Sequence, residues 1–248
     1  MQTPVIEIRS FKELDISGGV FIEAFPSEGF VPTVVGSYII GSLNLDQIAV
    51  MDSIWIPPVS MIYAQRPEFP ARIYASSLHK IAVCISEVTM PVYLDRFIAK
   101  SILSWVDGQG CSLAVSLCRR SRAAEANTEQ RRVGVLGVGS TDRARQILMD
   151  NGIPQLDFGV IPGITGALLN ESKWNSTDLI ALIVETYGEV SAARIAAAMV
   201  EAVDVLLPQI DLPVAQLCIE AEEIESRLKI LREQAELAQS SIRPSPYG

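Results

Sequence analysis

Short runs rich in Val, Ile and Leu recur along the chain, and few of them alternate apolar with polar residues. Strict alternation marks a strand with one wet face, whereas continuous apolar runs mark strands covered on both faces. Segments of helical length separate the runs. The pattern therefore predicts an α/β fold with a mixed, largely parallel sheet flanked by helices. Strands are expected at 19–25, 46–53, 61–63, 72–76, 81–86, 112–118, 133–138 and 179–185. Helices are expected at 33–42, after Pro32, and at 91–107, where Leu94, Ile98, Ile102 and Trp105 share one face. Further helices are expected at 141–151, capped by Ser140 or Thr141 and stopped by Gly152, at 163–170, and at 191–207. Pro57, Pro58, Pro67 and Pro70 read as loops flanking a short hairpin.

The chain has 248 residues, 49% of them hydrophobic, enough to bury a core without disulfide or metal support. Cys84, Cys111, Cys118 and Cys218 are scattered, and none has the CxxC spacing of a zinc or redox site. Reduced, buried thiols in a cytoplasmic protein are the expectation, with no metal and no cofactor. The opening MQTPVIEIRSFKELD lacks a signal-peptide pattern, and no apolar run approaches the roughly 18 residues of a membrane span. A net charge of −9 excludes nucleic acid and anionic membranes as general partners. One basic stretch departs from this: Arg119, Arg120, Arg122, Arg131 and Arg132, opposed only by Glu125 and Glu129. With no aromatic residues interleaved, it reads as a solvated loop rather than an anion-binding patch.

After Pro213 the pattern changes. Leu217, Ala221, Ile224, Leu228, Leu231, Ala235 and Ala238 follow spacings of 4, 3, 4, 3, 4 and 3, an a/d stripe with polar residues at most other positions. A helix over 217–239 runs about 35 Å at 1.5 Å per residue. Leu217, Ile224, Leu228 and Leu231 are its packing residues, seated either on their own domain or on a neighbouring subunit. The last nine residues hold prolines and serines that cannot continue a helix, and Tyr247 stands beside the terminal carboxylate of Gly248. A ring and a negative charge at the tip of a tether suit a pocket with an apolar wall and a cation. The chain thus divides into a core domain at 1–215, an arm at 216–239 and a docking tail at 240–248.

Catalytic constellations are scarce. His79 is the sole histidine and precedes a strand, the ordinary place for an edge histidine. Gly137-Val-Gly139-Ser-Thr-Asp142 resembles a dinucleotide fingerprint, but Asp142 replaces its third glycine and would repel a pyrophosphate. A capped strand-to-helix turn explains it better. Gly159-Val-Ile-Pro-Gly163-Ile-Thr-Gly166 also opens a helix, and its N–H groups suit a carboxylate or phosphate, although tight packing accounts for the glycines equally. Glu23 interrupts one apolar strand and Glu185 ends another, positions open both to catalysis and to helix capping. No residue is assigned as catalytic.

Phe21-Ile-Glu-Ala-Phe25-Pro26-Ser-Glu-Gly29-Phe-Val31, followed by Ser37-Tyr38-Ile39-Ile40, resembles the opening of the proteasome assembly chaperone family. That family has a strand ending Ile-Glu-Gly-Phe-Pro-Gly-x-Gly and then a helix ending Tyr-Leu-Ile. The resemblance continues in order through Ile56-Pro-Pro-Val59, Pro70-Ala-Arg-Ile-Tyr74, the segment 91–105, Gly159–Leu169, Glu185-Thr186 and the Ala-rich helix from Ser191. It implies an archaeal-type homologue of proteasome assembly chaperone 2, with a fold related to purine nucleoside phosphorylases and hydrogenase-maturation peptidases. It also implies a homo-oligomer. In archaeal members the C-terminus often ends hydrophobic–Tyr–any residue, the motif that proteasomal ATPases insert between α-subunits of the 20S ring. Pro246, Tyr247 and Gly248 match that ending, which makes the 20S α-subunits the implied partner. Ala24 and Ser27 replace family glycines, and the Arg119–Arg132 stretch lacks the family's Gly-rich character.

Two functions follow. One is a homo-oligomeric assembly chaperone or gate-opening activator docking by its tail. The other is a phosphorylase- or peptidase-like enzyme using the strand-end carboxylates, which requires a cleft beside Glu23 and Glu185.

Overall fold

The computed structural model describes residues 3–122, 132–188 and 190–242. The chain runs β1 (Glu7–Ser10), β2 (Val20–Ala24), α1 (Val31–Ser42), β3 (Asp46–Asp52), β4 (Met61–Tyr63), β5 (Arg66–Glu68), β6 (Ala71–Ser76) and β7 (Ile81–Ser86). A turn of 3-10 helix at Val92–Leu94 leads into α2 (Asp95–Gly108). Then come β8 (Leu113–Arg122), β9 (Arg132–Gly139), α3 (Asp142–Asp150), α4 (Gly163–Asn175), β10 (Leu179–Tyr187), α5 (Ala192–Leu206) and α6 (Val214–Ile242).

Among the described residues an eight-stranded sheet has the order β1-β3-β6-β7-β2-β8-β10-β9. Its centre, β7-β2-β8-β10, is parallel, and antiparallel pairs complete both flanks. This is the mixed α/β sheet expected from the continuous apolar runs, and β2 and β7 are buried along their whole length. Strand parity sorts the side chains. Ile22 and Ala24 of β2, Val83 and Ile85 of β7, and Leu182 and Val184 of β10 join the core under α1, α3, α5 and α6. Phe21, Cys84 and Ala114 face the other core, under α2 and α4.

Two strands were not expected. β1 is a charged edge strand, and β5 carries Pro67, so neither has an apolar run to betray it. The reading of Arg119–Arg132 as a solvated loop needs correction. Strand β8 continues to Arg122, paired with β10 as far as Tyr187, and β9 begins at Arg132. Arg119 and Arg120 are therefore strand residues, held by the ladder and by side-chain partners described below. Arg131 lies outside the described residues.

Thr141 caps α3: its Oγ1 accepts from the Ala144 N–H at 3.0 Å and also bonds Asp178. A Cβ on Gly139 would come within 2.7 Å of Ala144 C, so the glycines of this turn let α3 lie close on β9. Replacing Thr141 by Ala is expected to cost about 1–2 kcal/mol. Thermal unfolding followed by circular dichroism should show Tm falling by about 2–8 °C.

Helix α6 extends beyond both ends of the expected arm. It packs against α5 and α1 of its own chain. Leu217 and Leu228 are buried in the core with Ala221, and Ile224 packs partly buried against it. Leu231 and Ala235 meet Met61 and Val88. Beneath this helix, Arg72 of β6 and Glu87, just past the end of β7, form a buried ion pair whose side chains are each 3% exposed. Arg72 Nε donates to Tyr74 Oη at 2.9 Å, Arg72 Nη1 donates to the Phe69 carbonyl, and Tyr63 Oη donates to Glu87 Oε1 at 3.2 Å. A cavity of about 320 Å³ separates this network from Ile224, Arg227 and Leu228.

Candidate functional site

The connections leaving β2 and β7 diverge. β2 leads to α1 on one face of the sheet, whereas β7 leads to α2 on the other. Such a divergence between adjacent parallel strands leaves a crevice at their carboxyl ends. A cavity of about 340 Å³ occupies that place, bordered by Phe25 and Pro26 after β2 and by Thr89 and Met90 after β7. Cys118, Arg119 and Arg120 of β8, Ile183 of β10 and the first turn of α4 complete its wall.

Glu23 lies just behind it. The register pairs Glu23 with Ser116 on β8 and with Cys84 on β7, all on the α2–α4 face. Its Oε1 accepts from the Phe25 N–H at 2.7 Å and its Oε2 from Ser116 Oγ, which lies 2.9 Å from Thr165 Oγ1. Burial nevertheless pushes its carboxyl up to about 7, against the pull of these hydrogen bonds. Asp95, on the cavity wall in the first turn of α2, is raised to about 6 by burial, which outweighs the helix N-terminus that would lower it. Burial also pushes the Cys118 thiol up to about 11, so it stays protonated.

Glu185 stands directly across from Arg120 in the parallel register, and the two form a salt bridge. Tyr187 Oη adds a hydrogen bond to Glu185 at 3.2 Å. Glu23 and Glu185 are thus both engaged as structural acceptors, yet a cavity does open beside them. Arg119 is held differently. Its N–H donates to Ser27 Oγ at 3.1 Å and its Nη1 to the Glu28 carbonyl at 3.3 Å. The Glu28 carboxylate accepts instead from the Ser121 N–H.

The other sequence candidates lie elsewhere. His79 sits in the β6–β7 turn, at the amino end of the parallel strands and away from the cavity, with its N–H donating to Ser76 Oγ. Gly159 and Gly163 do flank the cavity, since a Cβ on Gly159 would come within 3.1 Å of Arg120 Nη1 and Gly163 lines the wall. Pro246, Tyr247 and Gly248 lie outside the described residues. Cys84, Cys111 and Cys118 are free thiols, and the Cys218 side chain is outside the described residues. Among the described residues no three or more His, Cys, Asp or Glu gather as a metal site, and no helix is long and apolar enough to cross a membrane. Sequence reasoning missed Ser116, Asp95 and Met90, because their approach to Glu23 and to each other depends on strand order.

Residues 21–232 match the PAC2 family, a span that runs from within β2 into α6. The chain belongs to the PAC2 family. Over 222 residues it is 28% identical to the uncharacterized protein MJ0106 of Methanocaldococcus jannaschii, covering 90% of this chain and 89% of that one. Its fold is similar to the crystal structure of Pyrococcus furiosus PbaA, an archaeal homologue of proteasome-assembly chaperone. The TM-score is 0.79 at 28% identity, with 94% of this chain and 99% of that chain covered. Pyrococcus furiosus PbaB, described as an archaeal proteasome activator, shares the fold at a TM-score of 0.74 and 20% identity, covering 92% of this chain and 98% of that one. In PAC2 family terms, the cavity lies within the matched span, and the last residues of α6 lie beyond it.

Proposed function

We propose that this chain is a homo-oligomeric, cytoplasmic proteasome assembly chaperone or activator that docks on the 20S α-ring through Pro246, Tyr247 and Gly248. The observation that carries the reading is PAC2 family membership together with whole-chain likeness to PbaA, described as a homologue of proteasome-assembly chaperone. The arm supports it mechanically. Helix α6 is anchored on α1 and α5 and runs to Ile242, six residues before Gly248 in the sequence. Tyr247 offers an apolar ring and Gly248 a carboxylate, a pair suited to an apolar pocket with a lysine. Several such ends on one oligomer gain effective concentration once the first is seated. The heptad residues Leu217, Ile224, Leu228 and Leu231 serve in this reading to hold the arm on its own domain.

Deleting Pro246–Gly248 is expected to abolish capture of purified α-subunit rings while leaving the oligomer's mass by light scattering unchanged. Undiminished capture by the truncated chain would sink the tail mechanism.

The cavity beside Glu23 favours a second reading, a phosphorylase- or peptidase-like enzyme. Both Glu23 oxygens are already hydrogen-bonded and the residue does not line the wall, so binding is the preferred role. Turnover of a nucleoside or peptide substrate by the purified chain, lost in Glu23→Gln, would reverse that preference.

A further inference from the structure

Two independent sets of donors meet at the strand-end cavity. The first is Arg119. Its Nε is buried and has no hydrogen-bond partner among the described residues, and no carboxylate pairs with it there. Arg120, by contrast, is neutralised by Glu185. A buried guanidinium donor without an acceptor is costly and calls for one. The second is the start of α4. Gly163, Ile164 and Thr165 line the cavity, and Pro162 at the cap position offers no side-chain acceptor to their N–H groups. Around these donors the lining is apolar, with Phe25, Met90, Val92 and Ile164.

From this arrangement we infer that the cavity is a binding site for a small organic molecule with one carboxylate and an apolar body. Arg119 and the α4 amides hold the carboxylate, and the apolar lining takes the body. Asp95 and Glu28, also on the wall, bring two carboxyls against the Arg119 guanidinium, so a dianion such as phosphate is opposed more strongly than a monoanion. A volume of about 340 Å³ accommodates about ten non-hydrogen atoms at about 30 Å³ each. Octanoate has that size and chemistry. The lining residues fall between Phe25 and Ile183 in the sequence and include none of the proposed docking residues, so neither reading depends on the other.

Isothermal titration of the full chain with sodium octanoate and with 3-phenylpropionate, at constant ionic strength, tests it. Saturable binding at about one molecule per chain is expected, with 1-octanol and inorganic phosphate at least about tenfold weaker. Arg119→Met should weaken octanoate about ten- to a hundredfold and leave 1-octanol unchanged. Arg119→Lys should lose less, because it keeps the charge without the planar fork. Val160→Trp, at an 80% exposed wall residue, should weaken carboxylate and alcohol alike and provides a folded variant if Arg119→Met does not fold. The inference is overturned if the native chain shows no saturable carboxylate binding below about 10 mM. It is equally overturned if phosphate binds as well as octanoate, or if neither the Arg119 variants nor Val160→Trp alters carboxylate affinity.

Discussion

Replacing Arg72 by Met is expected to destabilise the fold by about 3–5 kcal/mol, because it leaves Glu87 as an uncompensated buried carboxylate. Arg72 lies within a predicted apolar strand and is almost wholly buried. Its guanidinium is satisfied from several sides: Glu87, the Phe69 carbonyl and Tyr74 Oη accept its hydrogen bonds, and the Tyr63 ring lies 5.2 Å from Cζ. Glu87 has less support, since its Oε2 has no partner among the described residues. Once Arg72 is gone, Tyr63 Oη and the Glu87 backbone N–H are left to hold the carboxylate with no cation beside it among the described residues, so it must protonate or admit water. Urea unfolding should register the loss, and Tm should fall by about 6–20 °C. The double variant Arg72→Met, Glu87→Gln removes both charges and should recover a large part of that loss. A single variant within about 1 kcal/mol of the native chain would show that the pair is well hydrated.

Glu23→Gln is expected to stabilise the protein in alkaline solution and to flatten its pH profile. The native carboxyl titrates near 7, above its ordinary value of 4.5, because it is buried. Between those values the folded chain holds a proton that the unfolded chain has lost. Stability is therefore fully present below about 4.5, falls as pH rises to about 7, and levels off beyond. The accumulated cost is on the order of 3 kcal/mol. Asp95 adds a slope of the same sign at lower pH, ending near 6. Asp15 runs the other way: Lys80 and Ser17 hold its carboxyl well below the usual range, so its contribution is lost only in strong acid. A glutamine keeps an acceptor for the Phe25 N–H and turns a donor toward Ser116, without the charge. Tm measured from pH 5 to pH 9 should diverge in favour of the variant up to about pH 7 and then stay apart by several degrees. Parallel profiles would remove Glu23 as the source of the slope.

Much of this architecture can be read from residue patterns. The apolar runs locate β2, β7 and β10 to within a residue or two, since strands covered on both faces need nothing but bulk apolar side chains. The Leu217–Ala235 stripe marks the face of α6 that is buried, and Thr141 marks the start of α3. The candidate site is less legible. Glu23 and the Gly159–Gly166 turn stand out by themselves, but Ser116 reaches Glu23 only because β8 inserts next to β2 across 93 positions of sequence. Arg119 and Arg120 look like loop residues because charge normally ends a strand; Glu185 on the adjacent strand and the Glu28 carbonyl are what keep them in the ladder. Arg72 hides in the same way, its partner lying beyond the end of the following strand.

The seating of α6 over the Arg72–Glu87 pair also bears on how the molecule opens. Ile224, Arg227 and Leu228 line the cavity beside that pair, so lifting the helix would open two charges further to water and uncover Leu217 and Ala221 at once. An excursion that exposes so much has little chance of occurring on its own. The helix, the β4–β5 hairpin and the strands β6 and β7 should then exchange their amide hydrogens at one common rate, as a single cooperative unit. What looks in the sequence like an arm appended to a finished domain is, energetically, part of the lid that finishes it.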